Sequence, residues 1–226
     1  VVDRAMAPRS INLTFHGIGQ PRRPLDPGES SVWLTHDQFL TVLDQVAGRE
    51  NVAITVDDGN ASDLEHVLPA LRERELTATF FVVAERLGEP HFLDEDGVRA
   101  LSAAGMEIGC HGLRHRRWRG LDVLALHEEL IDAKVILEGV VGRPVARAAC
   151  PFGSYDRRVL RAARGCGYQR VYTSDRGTAH PDDFLQTRNS VAHDDGPGLL
   201  DRISRLEASG RRAMHRRVKL AAKQWR

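Results

Sequence analysis

The sequence has few cysteines and no long apolar run. Its three cysteines, Cys110, Cys150 and Cys166, are an odd number without a CxxC spacing, which argues against a disulfide framework or a zinc ribbon. No apolar stretch approaches the ~18 residues that span a bilayer, and the first ten residues lack the apolar core of a signal peptide. These absences predict a cytoplasmic protein, although the start at Val1 instead of Met leaves a removed leader open.

Repeats of fixed period, low-complexity tracts and linker-like segments are also lacking. Hydrophobic residues make up 42% of the 226 residues and charged residues 28%, which excludes collagen-like, coiled-coil and disordered classes. A chain of this length forms one large domain or two small ones. We therefore expect a folded domain with a full hydrophobic core.

The net charge of +1 hides an uneven distribution. The last sixteen residues contain seven cations and no acid, whereas the rest of the chain has 25 Lys and Arg against 31 Asp and Glu. An acidic body repels phosphate, so we expect no nucleic-acid partner for it. The charge break predicts a main domain over residues 1–210 and a basic helix or tail over 211–226.

The basic tail has an apolar stripe, because Met214, Val218, Ala221 and Trp225 recur at helical spacing. One interpretation is a terminal helix that packs this stripe on the main domain. The alternative is peripheral contact with an anionic membrane surface, to which the cations are attracted while Trp225 lies among the headgroups. The sequence does not decide the oligomeric state.

Short apolar, β-branched runs alternate with segments of helical period along the whole chain. This alternation predicts a parallel sheet covered by helices, either an α/β barrel or an open doubly wound sheet. In both architectures the chemistry lies at the carboxyl ends of the strands. The predicted strands are 11–15, 52–56, 77–83, 106–110, 145–150, 169–173 and 184–187. The predicted helices begin near Thr35, Ser62, Asp94, Asp122 and Tyr155.

The second predicted strand ends in Asp57, Asp58 and Gly59. Two adjacent carboxylates repel each other and coexist best when a cation lies between them or one of them is protonated. A simple turn that caps the following helix is an equally good interpretation of these three residues alone. The pair is therefore a candidate site only if other ligands converge on it.

The fourth predicted strand leads into His111 and His115, which lie at i and i+4. In a helical segment both imidazoles face one side and can bind one metal ion, although a pair of solvated histidines in an arginine-rich segment is the simpler alternative. Joined with an Asp from another strand end, they make a three-ligand set with an open coordination position. That pattern is typical of a catalytic metal site.

Several strings carry a family resemblance. Residues 55–59 read TVDDG, 77–83 read TATFFVV, 104–109 read AGMEIG, 111–115 read HGLRH and 151–153 read PFG. In order and spacing these resemble the motifs TFDDG, ATFFV, AGxEIG, H-S/T-x-x-H and R-x-P-Y/F-G of the NodB-type polysaccharide deacetylases. The resemblance runs from about residue 12 to residue 188.

The resemblance implies a distorted (β/α) barrel and assigns a role to each motif residue. Asp57 would be the general base, and Asp58, His111 and His115 would bind one divalent metal ion, zinc first, with Co2+, Ni2+ or Mn2+ as alternatives. The ion would activate water for attack on an amide carbonyl. The backbone N–H of Phe152 would help to hold the oxyanion.

Two positions depart from the family motifs. Gly112 replaces the usual Ser or Thr, which removes a hydroxyl but no metal ligand. Ala149 stands where the family has the arginine that orients the base. Arg188 at the end of the last predicted strand is the preferred substitute, because strand ends converge on the site, and Arg147 is the alternative.

The general acid and the sugar contacts are less well marked. His193, in a poor match to the L-x-x-H motif of the family, is the candidate acid, and His16 after the first strand is a comparable candidate for acid or substrate contact. Surface or capping roles are equally good interpretations of both histidines. Trp118 could wall a sugar subsite, with core packing as the alternative.

The sequence and the resemblance together predict a metal-dependent hydrolase that removes N-acetyl groups from an amino sugar in a glycan or glycan precursor. A cytoplasmic or lipid-linked sugar fits the missing export signal better than a cell-wall polymer. The alternatives are a deacetylase of a small non-sugar amide, and a catalytically dead carbohydrate-binding domain suggested by the missing arginine at Ala149.

Overall fold

The computed structural model describes residues 9–208 together with Val218 and Lys223. In this part of the chain strands and helices alternate as the sequence predicts. The strands are β1 Ser10–Phe15, β2 Val52–Asp58, β3 Ala78–Val82, β4 Glu107–Cys110, β5 Arg147–Ala149, β6 Arg170–Thr173, β7 Thr178–Ala179, β8 Leu185–Thr187 and β9 Asn189–Ser190. The helices are α1 His36–Val46, α2 Leu68–Glu73, α3 Glu95–Ala103, α4 Val123–His127, α5 Ala133–Val141, α6 Arg157–Gly165 and α7 Leu199–Ala208.

The strands form one sheet in the order β7-β1-β2-β3-β4-β5-β6-β8, with β9 also paired to β1. All the neighbouring pairs are parallel except β1 with β7. The sheet curls into a nearly closed barrel, which confirms the distorted barrel and excludes the open doubly wound alternative. The two-residue strands β7 and β9 were not predicted.

The central strands are buried because helices cover the outside of the barrel and side chains fill its inside. Every residue of β3 is buried, as expected for a continuous apolar run in a parallel sheet. The register pairs Asp58 of β2 with Val82 of β3, and Val82 with Cys110 of β4. The residues that follow Cys110 therefore lie at the same level of the barrel as Asp58.

Most helices begin where the sequence predicts. The side chains of Thr35, Asp94 and Asp122 each accept a backbone N–H from the first turn of α1, α3 and α4. Asp156 caps α6 in the same way, so α6 begins slightly later than predicted from Tyr155. Ser62 precedes a wide π turn instead, and its hydroxyl accepts the N–H of Ile18.

The predicted tail over 211–226 lies outside the described residues, apart from Val218 and Lys223. The Lys223 Nζ is 2.6 Å from Oδ1 of Asp175, so this cation contacts the barrel. Among the described residues no helix has both the length and the apolar character needed to cross a membrane. All three cysteines are free.

Candidate active site

The carboxyl ends of several strands bring ionisable side chains together at one end of the barrel. Asp57 and Asp58 end β2, His111 follows β4, and Arg188 follows β8. All four are buried, with at most 4% of each residue exposed. Burial of so many charges is costly unless they are paired or hold a metal ion. The cluster is therefore a candidate active site.

Asp57 forms a two-fold ion pair with Arg188. The guanidinium donates at 2.6 Å and 2.7 Å to the two carboxylate oxygens, and it also donates to the Thr55 hydroxyl at 3.2 Å. Arg147, the alternative, lies at the start of β5 and pairs with Glu107 at 3.0 Å. The geometry therefore places Arg188, rather than Arg147, on the candidate base.

The ion pair keeps Asp57 ionised. Burial alone would raise the pKa of this carboxyl, but the charge of Arg188, followed by the charges of His111 and His16, lowers the pKa to about 2. The carboxylate is consequently ready to accept a proton at any physiological pH.

Asp58, His111 and His115, the three predicted metal ligands, lie close together. Their ligand atoms all lie within 4.8 Å of one another. Oδ1 of Asp58 is 3.6 Å from Nε2 of His111 and 3.3 Å from Nε2 of His115. It is buried and has no hydrogen-bond partner in the described part of the chain. A tetrahedral ion with bonds of about 2.1 Å has ligand atoms about 3.4 Å apart. The donor set therefore fits a zinc-sized divalent ion.

The Nε2 atoms of His111 and His115 both lie beside Oδ1 of Asp58. Nδ1 of His111 lies 2.9 Å from the carbonyl oxygen of Ala149. A carbonyl only accepts, so Nδ1 carries the proton and Nε2 is left as a ligand. Burial, followed by the nearby charge of His111, lowers the pKa of His115 to about 4. His115 is therefore neutral at pH 7, as a metal ligand must be.

Three residues at the site have left-handed backbone conformations that L-residues rarely adopt. The φ angles are 79° at Asp58, 55° at His115 and 58° at Phe152. Such conformations cost about 1–3 kcal/mol each and persist only where the surrounding structure imposes them. The fold thus holds two proposed ligands and the turn at Phe152 in strained conformations.

Glu129 is a buried acid next to the candidate site that sequence reasoning missed. This buried carboxylate accepts the backbone N–H of Leu113 at 3.0 Å, that of Arg114 at 3.2 Å and the indole N–H of Trp118 at 3.4 Å. It also fills the space beside Gly112, where an added Cβ would be 2.3 Å from its Oε2. The carboxylate therefore organises the loop that carries both histidines, and it needs glycine at position 112.

Trp118 does not wall a sugar subsite, contrary to that expectation. The indole is fully buried, belongs to the hydrophobic core and donates to Glu129. Core packing, the alternative, is what the structure shows.

The two candidate acids lie in different surroundings. His16 follows β1, directly beside the end of β2, and its charge helps to lower the pKa values of Asp57 and Asp58. Its Nδ1 is buried and has no hydrogen-bond partner among the residues that the structure describes. His193 is exposed, and its ring nitrogen bonds the Ser31 carbonyl at 3.1 Å. Within the described chain no hydrogen bond or ion pair joins His193 to the cluster.

Asp63 is a further buried acid close to this cluster. It lies in the π turn Asp63–Val67, and both of its carboxylate oxygens lack hydrogen-bond partners among the described residues. Burial, followed by the charges of Asp58 and Asp57, raises the pKa of Asp63 well above its usual value.

Comparison with known proteins identifies the family. The family model of polysaccharide deacetylases matches residues 44–171, which include Asp57, Asp58, His111, His115 and Phe152. The chain belongs to the polysaccharide deacetylase family. Membership of this family implies a hydrolase that acts on N-acetyl amide bonds. The Asp-His-His set described above is consistent with the metal dependence that is general in the family.

Individual relatives agree with this assignment. The provisionally named polysaccharide deacetylase YxkH of Bacillus subtilis is 27% identical over 74% of this chain. This chain spans 57% of the length of YxkH. Streptococcus pyogenes deacetylase PplD superimposes with a TM-score of 0.76 at 18% identity, over 86% of this chain and 97% of PplD. IcaB of Ammonifex degensii superimposes with a TM-score of 0.72 at 20% identity, over 85% of this chain and 96% of IcaB. At such identities the likeness to solved structures establishes the fold alone.

Proposed function

We propose that the chain is a metal-dependent hydrolase that removes N-acetyl groups from an amino sugar in a glycan or a glycan precursor. The observation that carries the proposal is a buried carboxylate, ionised by Arg188, next to an open three-ligand set. Amide hydrolysis needs a base that takes a proton from water and a group that polarises the carbonyl, in addition to an acid for the departing amine.

Asp58, His111 and His115 would hold the ion. When bound, a divalent cation supplies Lewis-acid polarisation of the amide carbonyl and makes water more acidic. Asp57 accepts the proton of the attacking water, and Arg188 keeps the Asp57 carboxylate charged and fixed in orientation. The site thus separates the residue that moves the proton from the residues that would bind the metal.

Two further residues complete the proposed reaction. The Phe152 backbone N–H is the candidate oxyanion donor by the family resemblance, and the ring of Phe152 lies 4.6 Å from that of His115. His16 is the better candidate for the acid that protonates the departing amine, because it lies beside Asp57 whereas His193 bonds Ser31. The acetate bound in the PplD structure is the product that this reaction would release.

The proposal is tested by measuring acetate release from N-acetylated sugars in polymeric, nucleotide-linked and lipid-linked form, with and without added zinc or cobalt. A small non-sugar acetamide is included as a competing substrate. Metal-stimulated release from a sugar supports the proposal. Release from the small amide alone would favour the non-sugar deacetylase.

A catalytically dead binding domain would release nothing even with metal restored. The ion pair of Arg188 with Asp57 argues against this alternative, because it supplies the guanidinium that Ala149 lacks. Sugar binding without any turnover by the metal-loaded protein would reverse this judgement.

A cytoplasmic location with the basic tail on an anionic membrane stays a prediction from the sequence. Sedimentation with anionic vesicles tests it. Salt-sensitive binding that disappears when residues 211–226 are deleted would support membrane contact, and failure of both proteins to bind would favour the packed helix.

A further inference from the structure

A short loop of basic residues follows the metal-ligand candidate His115. Arg116, Arg117 and Arg119 are all exposed. Arg114 does not add to this charge, because its guanidinium is paired with Glu85 at 2.9 Å and with Glu128 at 2.7 Å. The described part of the chain provides no acidic partner within ion-pair distance of the three exposed guanidinium groups. The rim of the site therefore has an uncompensated positive charge.

One of these guanidinium groups is held next to the site by an aromatic ring. Phe152 is 48% exposed, an unusual position for a phenylalanine, and its ring centroid is 4.6 Å from that of His115. The guanidinium carbon of Arg117 lies 4.4 Å from the centroid of the same ring. Phe152 therefore links the guanidinium of Arg117 to the candidate metal ligand.

A stacked guanidinium is well prepared to bind an anion. Contact with the ring restrains the side chain while the N–H groups at its edge stay available for a carboxylate or a phosphate. Both anions match the planar fork of arginine and bind it through two parallel hydrogen bonds. A neutral hydroxyl would bind the same guanidinium group much more weakly, because it has no charge and cannot accept two parallel hydrogen bonds.

We infer that Arg117, held by Phe152, forms a subsite for an anionic substituent on the glycan whose N-acetyl group lies at the metal position. The inference rests on the proposed function and specifies its substrate class: N-acetylated sugar chains that carry carboxylate or phosphate groups. The exposed Arg116 and Arg119 add to the attraction at longer range.

The test measures the affinity of the zinc-loaded protein for three oligosaccharides by titration calorimetry. One is a neutral N-acetylglucosamine oligomer, the second is the same oligomer oxidised to carry carboxylates, and the third carries a phosphate. At low salt we expect at least one charged oligomer to bind roughly fivefold more tightly than the neutral one, with an advantage that shrinks as salt is added. Comparison of the two charged oligomers shows which anion the subsite prefers.

Arg117→Gln should reduce the charged-to-neutral affinity ratio at least threefold. The matched control is Arg164→Gln, because Arg164 is also exposed and its guanidinium carbon is 4.3 Å from the ring centroid of Phe184. Phe184 directly precedes β8, at the opposite end of this strand from Arg188, so the control should leave the ratio unchanged.

Equal affinities for neutral and charged oligomers, or a ratio that Arg117→Gln leaves intact, would overturn the subsite. Acetate release measured on the same oligomers separates this failure from failure of the proposed function. Release without any charge preference would overturn the subsite alone. A charge preference that depends on Arg117, without acetate release, would overturn the deacetylase and support the subsite as a binding site.

Discussion

At the scale of single residues, we expect the ion pair between Arg188 and Asp57 to affect both the stability of the fold and the proposed reaction. Arg188 lowers the pKa of Asp57, so its removal must raise that pKa. Since activity needs the ionised carboxylate, the acidic limb of the pH profile of kcat/KM should move to higher pH in Arg188→Ala. The variant should also lose roughly 3–5 kcal/mol of stability, because a buried charge is left unpaired.

A purely structural role for Arg188 would lower the stability without moving the pH profile. Arg188→Lys keeps the charge and should show a smaller shift than Arg188→Ala. Arg147→Ala is the matched control, because it removes another barrel arginine that pairs with Glu107 instead of Asp57. The pH profile of the control should coincide with that of the parent.

Asp57→Asn should abolish acetate release while the protein still binds metal. An amide cannot accept the proton of water, whereas Asp58 and both histidines stay in place. The loss in kcat should be about 10²-fold or more, the typical contribution of a general base. Single-turnover kinetics and elemental analysis on the same sample check both parts. A kcat close to the parental value would mean that another residue is the base.

Sequence reasoning succeeded for residues that follow strand ends. Asp58, His111 and His115 could be grouped because parallel strands place their carboxyl ends together, and Arg188 could be chosen over Arg147 for the same reason. The prediction that Trp118 walls a sugar subsite was wrong. An aromatic residue that follows a motif looks the same in the sequence whether it faces solvent or the core. Glu129 was missed, although an acid among the apolar positions Leu126 and Leu130 was a usable signal.

At the scale of elements, the loop that carries His111 and His115 is held in place by a residue of a π turn in the neighbouring helical segment. A single helix was predicted to begin near Asp122, but Glu128–Asp132 forms a π turn that divides it into α4 and α5. Such turns often occur at functional sites, and this one carries Glu129. Helical periodicity does not reveal a single wide turn, so the sequence predicted the helix but not its interruption.

The fit between this turn and the loop gives a prediction for Gly112→Ala. Gly112 has φ +85°, and a Cβ there would meet Glu129 at 2.3 Å. Gly105 has almost the same backbone conformation, φ +83°, with nothing within 4 Å of an added Cβ. Gly105→Ala should therefore cost only the conformational strain, about 1 kcal/mol.

Gly112→Ala should cost about 1–3 kcal/mol more than Gly105→Ala, because the alanine also displaces Glu129. Its metal affinity should fall as well, since the loop carries His111 and His115. Urea denaturation and zinc titration of the two variants measure these differences. Equal stability losses and an unchanged zinc affinity would show that Glu129 does not organise the loop.

At the scale of the whole molecule, the alternation of strands and helices predicted a parallel sheet but left its closure open. The closing strands β7 and β9 have two residues each, too few for any periodicity to be detected. The family resemblance predicted the closed barrel, which the alternation of strands and helices alone could not. Barrel closure positions Arg188, which lies between β8 and β9 and bonds Asp57 of β2.

The central claim is that one metal ion at Asp58, His111 and His115 and the base Asp57 together perform deacetylation. The most direct test removes metal with a chelator, adds zinc back in steps and follows acetate release from an N-acetylated oligosaccharide. The account predicts loss of release on chelation and a linear recovery that ends at one zinc per chain. Release that survives complete removal of metal, or a protein that binds no zinc with both histidines intact, would contradict it.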